Sequence, residues 1–296
     1  MKQHDSIHNE KLSLKNGDST MDASEVKKAI ERLDSLSTIP VVLTRILEVT
    51  GDLSSSPEEL YHIISHDQAL AERVIKMANS PFFGHSGKVG EIDQAIMLLG
   101  YEHIRNIAIS VSVISMFTKR VDMNLRNFWA HSYEVAFLSA YVAEIATIVS
   151  PRTAFLTGLL HDTGRLLFYS LYRDKYKAIL GTDDLLEKEI AIFGCDHTLA
   201  ARWLLEKAHL PREQVLAIRH HHAPSQAKEF TDHTAVVSLA EALSRRYNPR
   251  IEDDGIWTGE HDAILLELSL SNNDLEDIGM KLSQEEAEIR SFLDLL

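Results

Sequence analysis

The segment Phe155-Leu156-Thr157-Gly158-Leu159-Leu160-His161-Asp162-Thr163-Gly164-Arg165-Leu166-Leu167-Phe168 reads as a helix that is apolar almost all round. Its polar groups, His161, Asp162 and Arg165, are then enclosed by Phe155, Leu156, Leu159, Leu160, Leu166, Leu167 and Phe168. A buried carboxylate beside a buried imidazole is costly unless something pairs with both, and a divalent metal suits this donor set. Gly158 and Gly164 weaken the helix by about 1 kcal/mol each relative to Ala. Their missing side chains leave room for a neighbouring helix, or a phosphate, to approach His161 and Asp162.

Context gives the His161-Asp162 pair its meaning, because the same dipeptide recurs as His4-Asp5, His66-Asp67 and His261-Asp262. The first lies in a polar N-terminus. Asp67 precedes Gln68-Ala69-Leu70 and is placed to cap a helix, and His261-Asp262 opens the run Ala263-Ile264-Leu265-Leu266 in the same way.

The rest of the chain bounds the class. With 45% apolar and 25% charged residues over 296 positions, there is enough apolar surface for a sizeable core. Periodicity of 3.6 residues recurs from Ala23 onward and no sustained alternation occurs, so the class is all-α: a multi-helix bundle preceded by a smaller helical lobe. No apolar run approaches the ~18 residues of a membrane span, and the polar start is not a signal peptide, so a cytoplasmic location is expected. The single cysteine, Cys195, excludes an intramolecular disulfide and a cysteine-based zinc cluster, and reads as a buried structural thiol. A net charge of −14 argues against a nucleic-acid backbone or an anionic membrane as partner.

Taken in order, residues 1–22 are polar and expected to be disordered. Helices are predicted from Ala23 to Leu36, from Pro40 through Val49, and from Leu60 to Ser65 behind the capping box Ser56-Pro57-Glu58-Glu59. Leu70, Val74 and Met77 continue the core to Asn79. Phe82-Phe83-Gly84 reads as a packed corner, Gly100 stops a short helix, and Ile104 to Phe117 forms a longer one. A polar break at Lys119-Arg120-Val121-Asp122 suggests a boundary. Beyond it, His131, Val135, Leu138, Val142, Ile145 and Val149 form one stripe, and Pro151 is expected to end that helix. On spacing alone, His131 is equally readable as a satisfied core histidine and as a ligand.

Asp196 is placed to cap a helix from His197 to Lys207, and Pro211 to open one whose stripe is Val215, Ile218 and His222. His221 and His222 fall in its last turn. Glu241 lies on the apolar side of a helix from Thr234 to Tyr247, where it is either a helix-edge residue or a ligand. The candidate donors are therefore His131, His161, Asp162, His197, His221, His222 and Glu241. Imidazoles and carboxylates suit Fe, Mn, Zn, Co or Ni, and seven donors could hold two ions bridged by Asp162. Two metals about 3.5–4 Å apart would clamp a water nucleophile and a phosphate oxygen, as in phosphoester hydrolysis.

These residues resemble a known pattern. His131, His161-Asp162 and an acidic residue at 241 are similar to the signature of the HD superfamily of metal-dependent phosphohydrolases. More specifically, Leu36-Ser37-Thr38-Ile39-Pro40, Asp67-Gln68-Ala69-Leu70, Ala78-Asn79-Ser80, Ala95-Ile96-Met97-Leu98-Leu99-Gly100, Phe128-Trp129-Ala130-His131-Ser132, Gly158-Leu159-Leu160-His161-Asp162-Thr163-Gly164-Arg165, Asp196-His197 and His221-His222-Ala223-Pro224 resemble an HDOD domain of bacterial signalling proteins. The cyclic di-GMP-cleaving HD-GYP branch is similar through His197 and His221-His222. This chain differs from that branch in lacking the Gly-Tyr-Pro loop after His222 and in carrying Arg165 where the branch has lysine. Glu241 stands where the superfamily has aspartate.

Pattern and resemblance together give the expected division: a disordered segment 1–22, an N-terminal lobe 23–120, an HD-like core 121–250 with the candidate metal site, and closing helices 251–296. The resemblance implies a signalling module that works through a protein partner, without established catalysis. The alternative is a phosphohydrolase acting on a nucleotide or cyclic nucleotide, with Asp162 catalytic and Arg165 or Arg219 steadying the phosphate. A metal-free scaffold of satisfied core histidines is the third reading.

Overall fold

The fold is described from a computed structural model, for residues 20–33, 45–46, 56–79, 89–117, 125–182, 184–248, 256–285 and 289. Among the described residues the regular elements are helices and none is a strand. Of the expected helix from Pro40 only residues 45–46 are described, and they are helical; the Phe82-Phe83-Gly84 corner and the break at Lys119–Asp122 lie outside the described residues. So do residues 1–19 of the expected disordered start. Met21, by contrast, is held by its N–H on the Ile192 carbonyl at 2.8 Å.

Local capping chemistry sets the early helices. In α1 (Ala23–Glu31) Asp22 and Glu25 form a reciprocal capping box, and in α2 (Pro57–Ser65) Ser56 and Glu59 do the same. α3 (Gln68–Ala78) starts on Asp67, whose carboxylate accepts the Leu70 N–H at 3.0 Å. At its other end Asn79 bridges to Val89, donating to its carbonyl at 2.8 Å and accepting its N–H at 3.0 Å. Gly100, with φ 88°, divides α4 (Ile92–Leu99) from α5 (Tyr101–Phe117).

α6 (Leu125–Ala146) is the spine. Phe128, Trp129, Tyr133, Ala136 and Ala140 join a core that runs from Val26, Leu60, Val74 and Ile104 to Phe155, Leu166 and Ile218. Val135, Leu138, Val142 and Ala143 face a second core, shared with α13 (Thr231–Tyr247), α14 (Gly259–Glu267) and α15 (Asn272–Gln284). A helix that packs on both sides needs no polar face, which accounts for its apolar circumference. The first core holds buried residues both between Val26 and Val111 and between Phe128 and Ile218, so the N-terminal helices and the central ones share one interior.

Three expectations are corrected here. Pro151 does not end the long helix: α6 stops at Ala146, the chain turns through Thr147 (φ 57°), and Pro151 is the first residue of α7 (Pro151–Leu160). Proline suits that position because its missing N–H would have no partner in any case. The segment Phe155–Phe168 is not one helix. It breaks at His161-Asp162 into α7 and α8 (Thr163–Leu171), with His161 as the C-cap of the first and Asp162 as the N-cap of the second. At the third, Thr258 is the cap of α14, and His261 reciprocates by accepting the Thr258 N–H on Nδ1 at 2.9 Å.

The remaining helices are α9 (Arg173–Lys177), α10 (Leu185–Phe193), α11 (His197–Lys207) and α12 (Arg212–His220), followed by a 3-10 turn at Pro224–Gln226. Asp196 starts α11 by accepting the Leu199 N–H at 2.8 Å. No helix among the described residues is long and apolar enough to cross a membrane.

Candidate metal centre

The helix break aims His161 and Asp162 at one point, and the two glycines let other helices converge there. A Cβ on Gly158 would stand 2.7 Å from the Val135 carbonyl oxygen of α6, and one on Gly164 would stand 1.9 Å from the His197 carbonyl oxygen of α11. The space is thus filled by helix backbone rather than by a phosphate. α6 brings His131, α11 brings His197, the end of α12 brings His221 and His222, and α13 brings Glu241.

All seven donors expected from sequence meet here. Their ligand atoms fall into three overlapping groups: His131, His161 and Asp162; Asp162, His197, His221 and His222; and His161, His221 and Glu241. Asp162 Oδ1 lies 3.2 Å from His197 Nε2 and 4.0 Å from His221 Nε2; His197 Nε2 lies 3.2 Å from His222 Nε2. Glu241 Oε2 is 3.2 Å from His221 Nε2 and 3.9 Å from His222 Nδ1. Bonds of about 2.1 Å to one ion, at angles of about 90–110°, place ligand atoms about 3.0–3.4 Å apart. The closest donor separations match that spacing.

Hydrogen bonds behind the rings set their tautomers. His161 Nδ1 donates to the Gly158 carbonyl and His221 Nδ1 to the Ile218 carbonyl, each at 2.7 Å, because a carbonyl can only accept. Ser244 gives its hydroxyl proton to Glu134 at 3.3 Å, so its oxygen accepts from His131 Nδ1, also at 3.3 Å. In each ring Nε2 then carries the lone pair and faces the centre. The Nε2 atoms of His161 and His221 are fully buried and make no hydrogen bond. Buried polar atoms left in that state cost about 1–3 kcal/mol each, and a cation is the partner that would satisfy several at once.

Electrostatics favour a neutral His221 and an ionised Asp162, and they favour the protonated ring at His197, where metal would have to displace the Nε2 proton. Burial, aided by the neighbouring His222 and His161, pushes His221 well below the ordinary histidine range and keeps it neutral. Burial alone would raise the Asp162 carboxyl, but His161, Arg165 and His197 around it hold it well below the usual carboxylate range. Burial likewise works to lower His197, yet the Glu189 and Asp162 carboxylates hold it well above its usual value.

The two arginines expected to steady a phosphate have other work. Arg165 is fully buried, with Nη1 3.1 Å from Asp162 Oδ2. Arg219 pairs with Asp196 at 3.3 Å and donates to the Thr198 hydroxyl. A cleft of about 600 Å³ reaches the centre past His221, His222 and Glu241, and neither arginine lines it. Glu187, Ser238, Glu260 and His261 form part of its outer wall.

Sequence reading missed the residues that hold the ligands. Glu189 accepts the His197 N–H at 2.7 Å and Nδ1–H at 2.8 Å, and the Tyr176 hydroxyl at 2.7 Å. Its signal was a glutamate centred on the apolar stripe Leu185, Glu189, Phe193, four residues apart. Glu134, three residues after His131, accepts from Asn248 at 2.7 Å as well as from Ser244.

The HDOD domain family matches residues 36–224. Solved structures similar to this chain include a candidate phosphohydrolase from Shewanella amazonensis, 23% identical with TM-score 0.69, covering 90% of this chain and 97% of that one. An HDOD domain protein of unknown function from Geobacter sulfurreducens is 22% identical with TM-score 0.66, covering 93% and 99%. A candidate metal-dependent phosphohydrolase, also from Shewanella amazonensis, is 18% identical with TM-score 0.62, covering 92% and 98%. At these identities the likeness is one of fold. An uncharacterized protein of Treponema pallidum is 23% identical over 233 residues, which are 74% of this chain and 44% of that protein. The chain thus spans less than half the length of that relative.

Proposed function

Because the chain belongs to the HDOD domain family, we propose that it is a signal-transduction module which acts mainly through a protein partner and holds one or two divalent transition-metal ions. Fe, Mn, Zn, Co and Ni all suit the donor set. His131, His161, Asp162, His197, His221, His222 and Glu241 would hold the metal, with Asp162 shared between two ions. The observation that carries the reading is the pair of buried Nε2 atoms of His161 and His221, each without a hydrogen bond and each fixed from behind by a backbone carbonyl. A metal-free scaffold of satisfied histidines does not account for that pair.

Elemental analysis of untagged protein, purified without chelator, tests this reading. About two transition-metal ions per chain are expected for a fully loaded centre. Near zero, with no uptake on reconstitution, sinks it.

The second reading is phosphoester hydrolysis on a nucleotide or cyclic nucleotide, and the cleft that opens on His221, His222 and Glu241 favours it. Bound metal would supply Lewis acidity and an activated water there. Asp162 would then orient both halves of the centre, with Arg165 fixing the Asp162 carboxylate from below. Among the described residues the cleft lining contains Glu187, Glu241 and Glu260 and neither lysine nor arginine, so these side chains offer a phosphate no lysine or arginine contact. Turnover of a phosphoester in the presence of Mn or Fe, abolished by Asp162→Asn, would establish it. A broad substrate screen without turnover leaves the signalling reading.

A further inference from the structure

The four deeply buried histidines of the centre are anchored unequally. Backbone carbonyls hold His161 and His221, and a serine hydroxyl holds His131. His197 instead gives its Nδ1–H to a carboxylate, that of Glu189, at 2.8 Å. The same Glu189 oxygen accepts the backbone N–H of His197 at 2.7 Å, which ties ring and main chain to one atom. Its second oxygen is fixed by the Tyr176 hydroxyl at 2.7 Å. Glu189, Tyr176 and His197 are fully buried, and Phe193 stacks on Phe168 beside Tyr176 with ring centroids 4.5 Å apart. Water is kept from the carboxylate, which strengthens its hydrogen bonds.

An imidazole hydrogen-bonded to a carboxylate is a more basic ligand than one bonded to a neutral group, and its orientation is set in advance. We propose that Glu189 is a positioning residue which acts through His197 to make the half-site of Asp162, His197, His221 and His222 fill before the half-site of His131, His161 and Asp162. The first ion also neutralises part of the Asp162 charge, so the second half-site, which shares that carboxylate, binds more weakly. The centre is therefore asymmetric, with one firmly held ion and one exchangeable ion. This inference rests on the metal-binding reading above.

The test titrates Co(II) into metal-free full-length protein, following uptake by equilibrium dialysis, the visible absorption bands and Tm. Wild type should bind in two steps. Glu189→Gln should weaken the first step by about 10–100-fold, the usual effect of losing such a partner. It should also shift the visible bands and shrink the rise in Tm that the first equivalent produces. Tyr176→Phe, which removes only the hydroxyl that fixes Glu189, should act in the same direction by a smaller factor, and it keeps the test open if Glu189→Gln fails to fold. A purely structural role would lower Tm of the metal-free variants while leaving affinity and bands unchanged, which overturns the inference alone. No Co(II) uptake by wild type overturns both the inference and the metal-binding reading.

Discussion

Gly164 and His197 touch backbone to backbone: a single added methyl on Gly164 would stand 1.9 Å from the His197 carbonyl oxygen and 2.9 Å from the Ala201 nitrogen. Neither atom is the end of a flexible side chain, so α8 and α11 must separate to admit it. Gly164→Ala should destabilise at or above the upper end of the about 1–3 kcal/mol usual for overpacking. It should also move His197 away from Asp162. Denaturant unfolding and metal content of the variant check both effects, and native values of both would show that the contact is not obligatory.

Metal removal should lower stability by mass action. With free metal at about 100 times its Kd, the bound form gains about 2.7 kcal/mol, and a chelator removes that gain. In His161→Ala the centre loses a ligand, so metal content should drop and the fall of Tm on chelation should shrink to the part contributed by the half-site of Asp162, His197, His221 and His222. An equal fall of Tm on chelation in wild type and variant would contradict this assignment of His161.

Asp196 supplies a pH signature. Its burial works to raise the carboxyl, but Arg219, His197 and the Leu199 N–H hold it below the usual value. A carboxyl lowered on folding adds stability above its unfolded pKa, and that stability is lost as pH falls through the folded pKa. The Tm gap between wild type and Asp196→Asn should thus be widest at neutral pH and narrow on acidification below about pH 4. At neutral pH the substitution removes a charged pairing worth about 1–2 kcal/mol and leaves the cap in place, since Asn caps a helix as well as Asp does. A gap that stays constant with pH would show that the charge of Asp196 does not stabilise the fold.

Cys195 should be inert in the folded protein. Burial, with the charges of Asp196 and Glu189 nearby, pushes its thiol up to about 12. The thiolate is the reactive form, so thiol reagents at pH 8 should modify it only as fast as the protein opens. Rapid labelling without denaturant would contradict its buried placement.

Much of the architecture was legible because local chemistry dictates it. Ser56, Asp67 and Asp196 announce helix starts by residue type and spacing, and all three cap as expected. The donor residues stood out as polar groups on apolar stripes, and packing brings them together. The break at His161-Asp162 was hidden, since a segment buried on every side looks alike whether it runs straight or kinks. Proline reads the same at either helix edge, so residue type does not tell that Pro151 opens α7 rather than closes α6. The direction of Arg165 was equally out of reach, because whether a guanidinium meets a ligand or the Asp162 three residues before it depends on which face tertiary packing closes. Glu189 gives no local signal of its role, because its partners, Tyr176 and His197, lie on two other helices.

α6 serves two interiors, and this decides what counts as a foldable piece. The family-matched segment ends at residue 224, whereas Val236, Leu239, Leu243, Ile264 and Ile278 complete the second interior against Val135, Leu138 and Val142. Cutting the chain at 224 would lay that row of α6 bare to water and remove Ser244 and Glu241 with it. The segment that bears the family pattern is thus smaller than the cooperative unit, and a truncation drawn along it would yield an aggregating fragment rather than a minimal domain.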